Sequence, residues 1–418
     1  MFRMTQQLIV LPSIAVILLF SAASPAKEIH VPYDCPTIQA AIVAAKKTDV
    51  IIVHQGNYYE HINLMGKLIT VRSTNPIDPE VVYTTRIIGP ESNPTVTCNT
   101  GEGPDTIIAG FTIAHQAGSD YGSGMFNDHA DPTVEYCRFT DNWAAEGGGM
   151  LNYYSSPTVT FCTFGDNLAD GDGGGGMCND HASPIVTSCN LVNNFTGVAS
   201  FGAGMCNRYS SVTMTNCNVL SNHADSASLG GGMCNWNSEV TLINCSFAGN
   251  DSPSGSGGGM YSFLSDVTAT DCSFTDNEPA ELGGAACQIY GTLIMTDCTF
   301  SGNDASVGGG AMFIQNCSAT LTNCAFAGDI DPTLDAIAGS AWSLNTTPPP
   351  TGACCLPYGD CMVGAEADCL AADGVYMGDG TDCETAGCPE PCPGDITGDE
   401  VVDVLDLLEL LGAWGPCP

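Results

Sequence analysis

Residues 174–179 read GGGMCN, residues 202–207 read GAGMCN, and residues 230–235 read GGGMCN again. A glycine-rich stretch can cradle a phosphate, shape a tight turn or mark a structural repeat, and recurrence decides among the three. Outward from these copies the motif returns as GSGM at Met125, GGGM at Met150 and GGGM at Met260. Degenerate copies follow as GGAA at Ala286 and GGGA at Ala311. Successive copies lie 25, 27, 28, 28, 27, 26 and 25 residues apart. A second column keeps step: Cys137, Cys162, Cys189, Cys217, Cys245, Cys272, Cys298 and Cys324. Two residues past each cysteine stands an apolar residue, from Phe139 and Phe164 to Phe300 and Phe326. Five past it stands Asn142, Asn167, Asn194, Asn222, Asn250, Asn277 or Asn303, with Asp329 closing the series. A phosphate loop would be one copy ahead of a helix, often with a lysine, and no lysine follows Lys67. The glycines belong to a repeat.

The unit is strand and turn throughout. In SPTVTFCTFGDN, residues 156–167, Val159 points inward and Thr160 outward, Phe161 takes a corner, and Cys162 and Phe164 point inward again. Later copies put Asn216, Asn244, Asp271, Asp297 and Asn323 at the corner, residue types that tolerate the left-handed conformation. Each unit thus reads as three short strands: one at the Gly-Met motif, one before the corner and one after it. Such a unit cannot bury its own face and must stack on its neighbours as the coil of a solenoid. The cysteine column then serves as a small buried hydrophobe. Cys178, Cys206 and Cys234 form a second column facing the other way, with free thiols favoured over bridges.

This pattern resembles the right-handed parallel β-helix superfamily that includes pectate lyases and pectin methylesterases, over about residues 28–345. The resemblance implies an all-β solenoid. CPTIQAAIVAAKK (35–47) is expected as its capping helix, then DVIIVHQGNYYEHINL and GKLITVRS as first strands. Ile38 and Ile42 lie on one helical face, as a cap over an open end requires. The segment 107–116 reads as a further coil, with Phe111 and Ile113 in the Cys and Phe columns.

The 418-residue chain carries 9 Lys and Arg against 46 Asp and Glu, a formal net charge of −37. That balance excludes nucleic acid as a partner, since no basic stripe exists to displace counterions from phosphates. Anionic polysaccharides are repelled as well unless a divalent cation bridges them. Arg3, the apolar run Leu8–Phe20 and the small residues 21–26 read as a secretory signal (residues 1–26), so no membrane span is expected after cleavage. The protein is expected to be secreted or on the cell surface, where disulfides persist.

Residues 27–347 form the expected solenoid and 348–351 a proline-rich linker. Residues 352–391 read as a small disulfide-rich module through Cys354, Cys355, Cys361, Cys369, Cys383 and Cys388. In residues 392–418 the oxygen donors Asp395, Thr397, Asp399, Asp403 and Asp406 alternate as a calcium loop requires, and Val401 offers its carbonyl. Val404, Leu407, Leu408, Leu411 and Trp414 follow at helical spacing. The arrangement resembles one dockerin repeat, which implies bound Ca²⁺ and a cohesin-like or sorting partner. It departs from the pattern in having Glu400 where glycine is usual, Thr397 at the third position, and a single copy.

Fold does not determine activity. The acid sets that mark polygalacturonases and pectin methylesterases are absent, and the repeats hold only Arg138 and Arg208 as cations. The residues three and four after each Met stand out: Asp128-His129, Tyr153-Tyr154, Asp180-His181, Arg208-Tyr209 and Trp236-Asn237. They are expected to stack into an exposed strip, edged by the motif asparagine, whose aromatic faces and polar groups suit a polysaccharide or cell-surface glycan. Variable solvated turn residues are the plainer reading of the same positions. Two functions remain open: a secreted binding or adhesion-type protein, or a polysaccharide lyase, hydrolase or esterase using the Asp-His pairs as acid and base.

Overall fold

The computed structural model describes residues 26–327, apart from 91–92, 116–117 and 279. Beyond them it describes the segments 335–337, 341–345, 351–355, 361–365 and 375–379 and residues 369, 381 and 383. The signal segment up to Pro25, Asp329, the prolines 348–350 and all of 392–418 lie outside the described residues. Asp395, Thr397, Asp399, Val401, Asp403 and Asp406 are therefore not placed.

The repeat winds into a parallel β-helix. Among the described residues, strands of successive coils pair in parallel into one sheet of 22 strands, one of 11 and one of 5. The register follows the columns: Met125 pairs with Met150, Met150 with Met177, Met177 with Met205, and Met205 with Met233. One alignment is corrected. Ala286 pairs with Met312, not Ala311. Each coil's strand starts three residues past a left-handed glycine, here Gly283 (φ +65°) and then Gly309 (φ +70°), so that glycine sets the register. Only glycine serves there: a Cβ on Gly202 would lie 2.0 Å from the carbonyl oxygen of Met205.

The corner also forms as expected. Tyr136, Phe161, Ser188, Asn216, Asn244, Asp271, Asp297 and Asn323 all have φ between 51° and 55°. Inside, Met, Cys and Phe columns make the core, with Phe139 stacked on Phe164 at 4.7 Å and Phe274 on Phe300 at 5.1 Å. Each fully buried ring contributes about 1.5–3 kcal/mol. Two polar ladders run beside it. Asn194 Nδ2 donates to Asn222 Oδ1 and to the carbonyl of Phe164, both at 2.9 Å, and the pattern repeats from Asn142 to Asn303. The motif asparagines Asn127, Asn152, Asn179, Asn207 and Asn235 bond amide to amide in the same way. They are buried, not at the edge of an exposed strip, because strand alternation turns them inward two residues after the Met.

The three-strand unit omits a fourth strand. Ser119–Tyr121, Trp143–Glu146, Leu168–Gly173, Phe195–Thr196 and His223–Ala224 form the five-stranded sheet after the asparagine turn. Phe201, farther along the same turn, packs on Leu151, Cys178 and Cys206, and Leu229 and Leu282 join a like cluster around Cys234, Tyr261 and Cys287. The second cysteine column thus faces away from the main core, yet it is covered, and its thiols are free.

At the N-terminal end, Thr37 caps the helix Ile38–Ala44, which buries Ile38, Ala41 and Ile42. Glu60 accepts the backbone N–H groups of Ile38 and Gln39. The first strand is not after this helix but before it: Glu28–Val31 pairs with Val50–Val53. Of the segment 107–116, the described residues 107–115 form a coil, with Ile113 paired to Phe139. In the tail, Cys354 is bonded to Cys369, and Cys355 and Cys383 are disulfide-bonded too. Among the described residues no helix is long and apolar enough to cross a membrane.

Candidate functional site

The strip exists, and its geometry is specific. The Met strand ends at a left-handed residue, and in the first four copies, Met125 to Met205, that residue carries a ring: His129 (φ 52°), Tyr154 (47°), His181 (53°) and Tyr209 (50°), with Asn237 (48°) in the fifth. Parallel register places these side chains one above another at the inter-strand spacing of ~4.8 Å. His129 stacks on Tyr154 at 5.2 Å, Tyr154 on His181 at 4.6 Å and His181 on Tyr209 at 5.0 Å, within 22° of parallel. All four are well exposed. The ring faces of Tyr154 and His181 are therefore occupied by their neighbours, and the strip presents edges, hydroxyls and ring nitrogens. Two further rings stand on the flank, where Trp236 has Phe201 at 6.1 Å as one neighbour. Tyr153 meets Tyr154 edge-on at 4.7 Å, and Trp236 packs against Phe263 at 4.6 Å.

The residues one position earlier line the same edge. Asp128 Oδ1 lies 2.6 Å from His129 Nδ1, and Asp180 Oδ1 lies 2.5 Å from His181 Nδ1. Each carboxylate orients its own imidazole, and the Tyr153-Tyr154 coil separates the two pairs. Arg208 does not join the strip. Its guanidinium turns toward the five-stranded sheet, donating to Glu146 Oε2 at 2.7 Å and lying 3.2 Å from Asp180 Oδ2 and 3.4 Å from Asp172 Oδ2. Arg208, Glu146 and Asp180 are each less than one-fifth exposed. Burial pushes the Glu146 carboxyl above its ordinary value; Arg208 opposes that rise, and a hydrogen bond with Asp172 adds to it.

Sequence reasoning missed Glu146 and Asp172. Its three-strand unit had no strand to carry them, although Glu146 directly precedes the glycine motif where later coils carry Phe201 and Leu229. Among the described residues, no three His, Cys, Asp or Glu side chains are grouped so as to hold a metal ion.

The solenoid defines the class of the protein, and the comparison with known families agrees. The chain belongs to the right-handed β-helix family, whose model matches residues 99–238 and again 202–341, more than half of the chain. No curated protein matches it. Among solved structures it is similar to the Dettilon tailspike protein at 10% identity, over 77% of this chain and 68% of that one (TM-score 0.43). It is also similar to the A-module of the mannuronan C-5 epimerase of Azotobacter vinelandii at 14% identity, over 74% and 93% (TM-score 0.42). A third likeness is to carrot pectin methylesterase at 12% identity, over 78% and 90% (TM-score 0.35).

Proposed function

We propose that this is a secreted β-helix protein that holds a polysaccharide or cell-surface glycan along the strip and is tethered through its C-terminal loop. The observation that carries the reading is the four-membered stack His129-Tyr154-His181-Tyr209. Bulky residues in the left-handed region cost about 1–3 kcal/mol each, a cost usually met where structure serves a function. The stack repeats a hydrogen-bonding edge coil by coil, with Asp128 and Asp180 beside it and Tyr153 exposed on its flank. A formal charge of −37 directs the choice to a neutral glycan, or to an anionic one bridged by calcium.

The test is retention of the purified protein in gels containing neutral and acidic polysaccharides, with and without calcium. Tyr154→Ala and His181→Ala should each weaken retention about tenfold, the scale of one or two lost hydrogen bonds. Unchanged retention by both variants, or no retention at all by the unsubstituted protein, would sink the reading.

The oxygen donors Asp395, Thr397, Asp399, Asp403 and Asp406, with the Val401 carbonyl, are of the hard type that Ca²⁺ takes. The dockerin resemblance makes a cohesin-like or sorting partner the tether. Asp399→Ala with Asp406→Ala should abolish protection of the tail from protease by calcium; an identical digestion pattern counts against the site.

A second reading, a polysaccharide-degrading enzyme, is favoured by one observation: a carboxyl raised by burial, Glu146, shares Arg208 with Asp180. In that reading Glu146 supplies a proton. New reducing ends, unsaturated products or released methanol in the same incubations would establish it in place of simple binding.

A further inference from the structure

On another side of the solenoid, the segment 74–84 projects between the strands Thr70–Ser73 and Thr85–Gly89. It ends in the short helix Pro79–Thr84, none of whose residues is buried. The segment is nevertheless pinned. Thr112 Oγ1 donates to the carbonyl of Val82 at 2.9 Å, and Thr85 Oγ1 to that of Val81 at 2.7 Å. Gly110 admits Pro76 against the coil, since a Cβ there would lie 2.4 Å from the Pro76 Cα. Between this wall and the solenoid lies a groove of about 370 Å³.

The floor of the groove is the corner column. Most coils put Ser, Asn or Asp at that left-handed position, but the two coils facing the projecting segment put Tyr136 and Phe161 there (φ 53° each). These rings stack at 4.9 Å and 5° from parallel. The next rung is Ser188, too small to cover Phe161, which stays 52% exposed. The opposite wall offers Ile77 and Tyr83, also exposed. Within the corner column of the described coils, rings therefore stand only beneath the overhang. Arg138, one of nine Lys and Arg in the chain, also lines the groove, and its one ion pair among the described residues is a loose 4.0 Å contact with Asp166.

We propose that this groove binds a planar aromatic carboxylate, its ring laid on Phe161 and its carboxylate held by Arg138. The volume suits one or two rings, and both walls are pre-formed. A sugar would need several hydrogen-bonding partners, whereas the side chains here supply one guanidinium and the hydroxyls of Tyr83, Tyr136 and Thr163. In so acidic a protein, a guanidinium held only by the loose Asp166 contact selects an anion over a neutral ring.

The test is ligand-observed NMR on the full chain with cinnamate, its neutral isostere cinnamamide, and glucuronate. Cinnamate should bind saturably with a Kd in the millimolar range, as expected for so small a ligand (about 1 mM). Arg138→Gln should weaken cinnamate about tenfold and leave cinnamamide unchanged. Phe161→Ser, which copies the next rung, should abolish both, and Tyr83→Ser at the exposed wall should weaken both without touching the solenoid. Tyr154→Ala in the strip should change neither, so failure here and failure of the glycan reading are separable. Absence of saturable cinnamate binding by the folded protein, equal binding of cinnamamide, or tighter binding of glucuronate overturns the proposal.

Discussion

Arg208 Nη2 donates a 2.7 Å hydrogen bond to Glu146 Oε2 across 62 residues of sequence and two coils of the solenoid. The same nitrogen lies 3.2 Å from Asp180 Oδ2, so one cation joins the Met strand to the fourth strand of a different coil. With all three side chains mostly buried, this cluster links the sheets on that face electrostatically.

Removing the cation should be costly, because it strands two carboxylates out of water. Arg208→Gln is expected to lower stability by about 3–5 kcal/mol, read from urea unfolding. Adding Glu146→Gln to it should restore part of the loss. A change below about 1 kcal/mol for the single variant would mean that the carboxylates relax into solvent.

Stability should also depend on pH through Glu146. Its folded-state value lies above the ordinary 4.5, so between the two the native state binds more protons than the unfolded one. This group's contribution therefore falls as pH rises from 4.5 through the folded value and is constant above it. Glu146→Gln removes that fall, and its stability relative to the unsubstituted protein should grow over this window. Urea unfolding from acid to neutral pH checks the sign; a shrinking difference would contradict it.

The asparagine ladder should behave as a chain of dependent bonds. Asn194→Ala removes the acceptor of both the backbone N–H and the Nδ2 of Asn167, leaving buried donors unpaired. The expected loss is about 3 kcal/mol, two unsatisfied groups at the usual 1–3 each. Differential scanning calorimetry would report it; a loss typical of an exposed Asn→Ala change would show that water replaces the amide.

The solenoid thiols should be inert. Burial pushes the Cys98, Cys234 and Cys287 thiols up, and Cys35 alone among the described free cysteines is not buried. Iodoacetamide labelling read by mass spectrometry should mark Cys35 in the native protein and leave Cys162, Cys189 and Cys217 unmarked until urea is added. Native labelling of the column would show that coils open locally.

What could be read in advance follows from periodicity. The Cys, Phe and Asn columns, the left-handed corner and the exposed four-ring strip all recur at the coil spacing, and each is found where the repeat put it. Glu146 and Asp172 were illegible because they lie on a strand that varies in length from coil to coil, past its one recurring small residue, Ala144, Ala169 and Ala224. The groove was illegible for another reason. Tyr136 and Phe161 look like substitutions in a corner column until the segment 74–84 is seen standing over them.

The amino-acid sequence by itself determined the solenoid, since eight in-register copies of an all-strand unit can bury their apolar columns only by stacking. It also determined the strip, because parallel register carries any sequence column directly into space. The tertiary structure alone decided that the ring faces of the strip are spent on one another, and that Arg208 leaves it for Glu146. Both depend on distances between coils and on side-chain direction, which a one-dimensional repeat does not contain. For GGGMCN the outcome is the same division. The repeat marks it as the start of a coil with its Met in the core, and only the fold shows its Asn buried inside and its Cys covered by Phe201 and its neighbours.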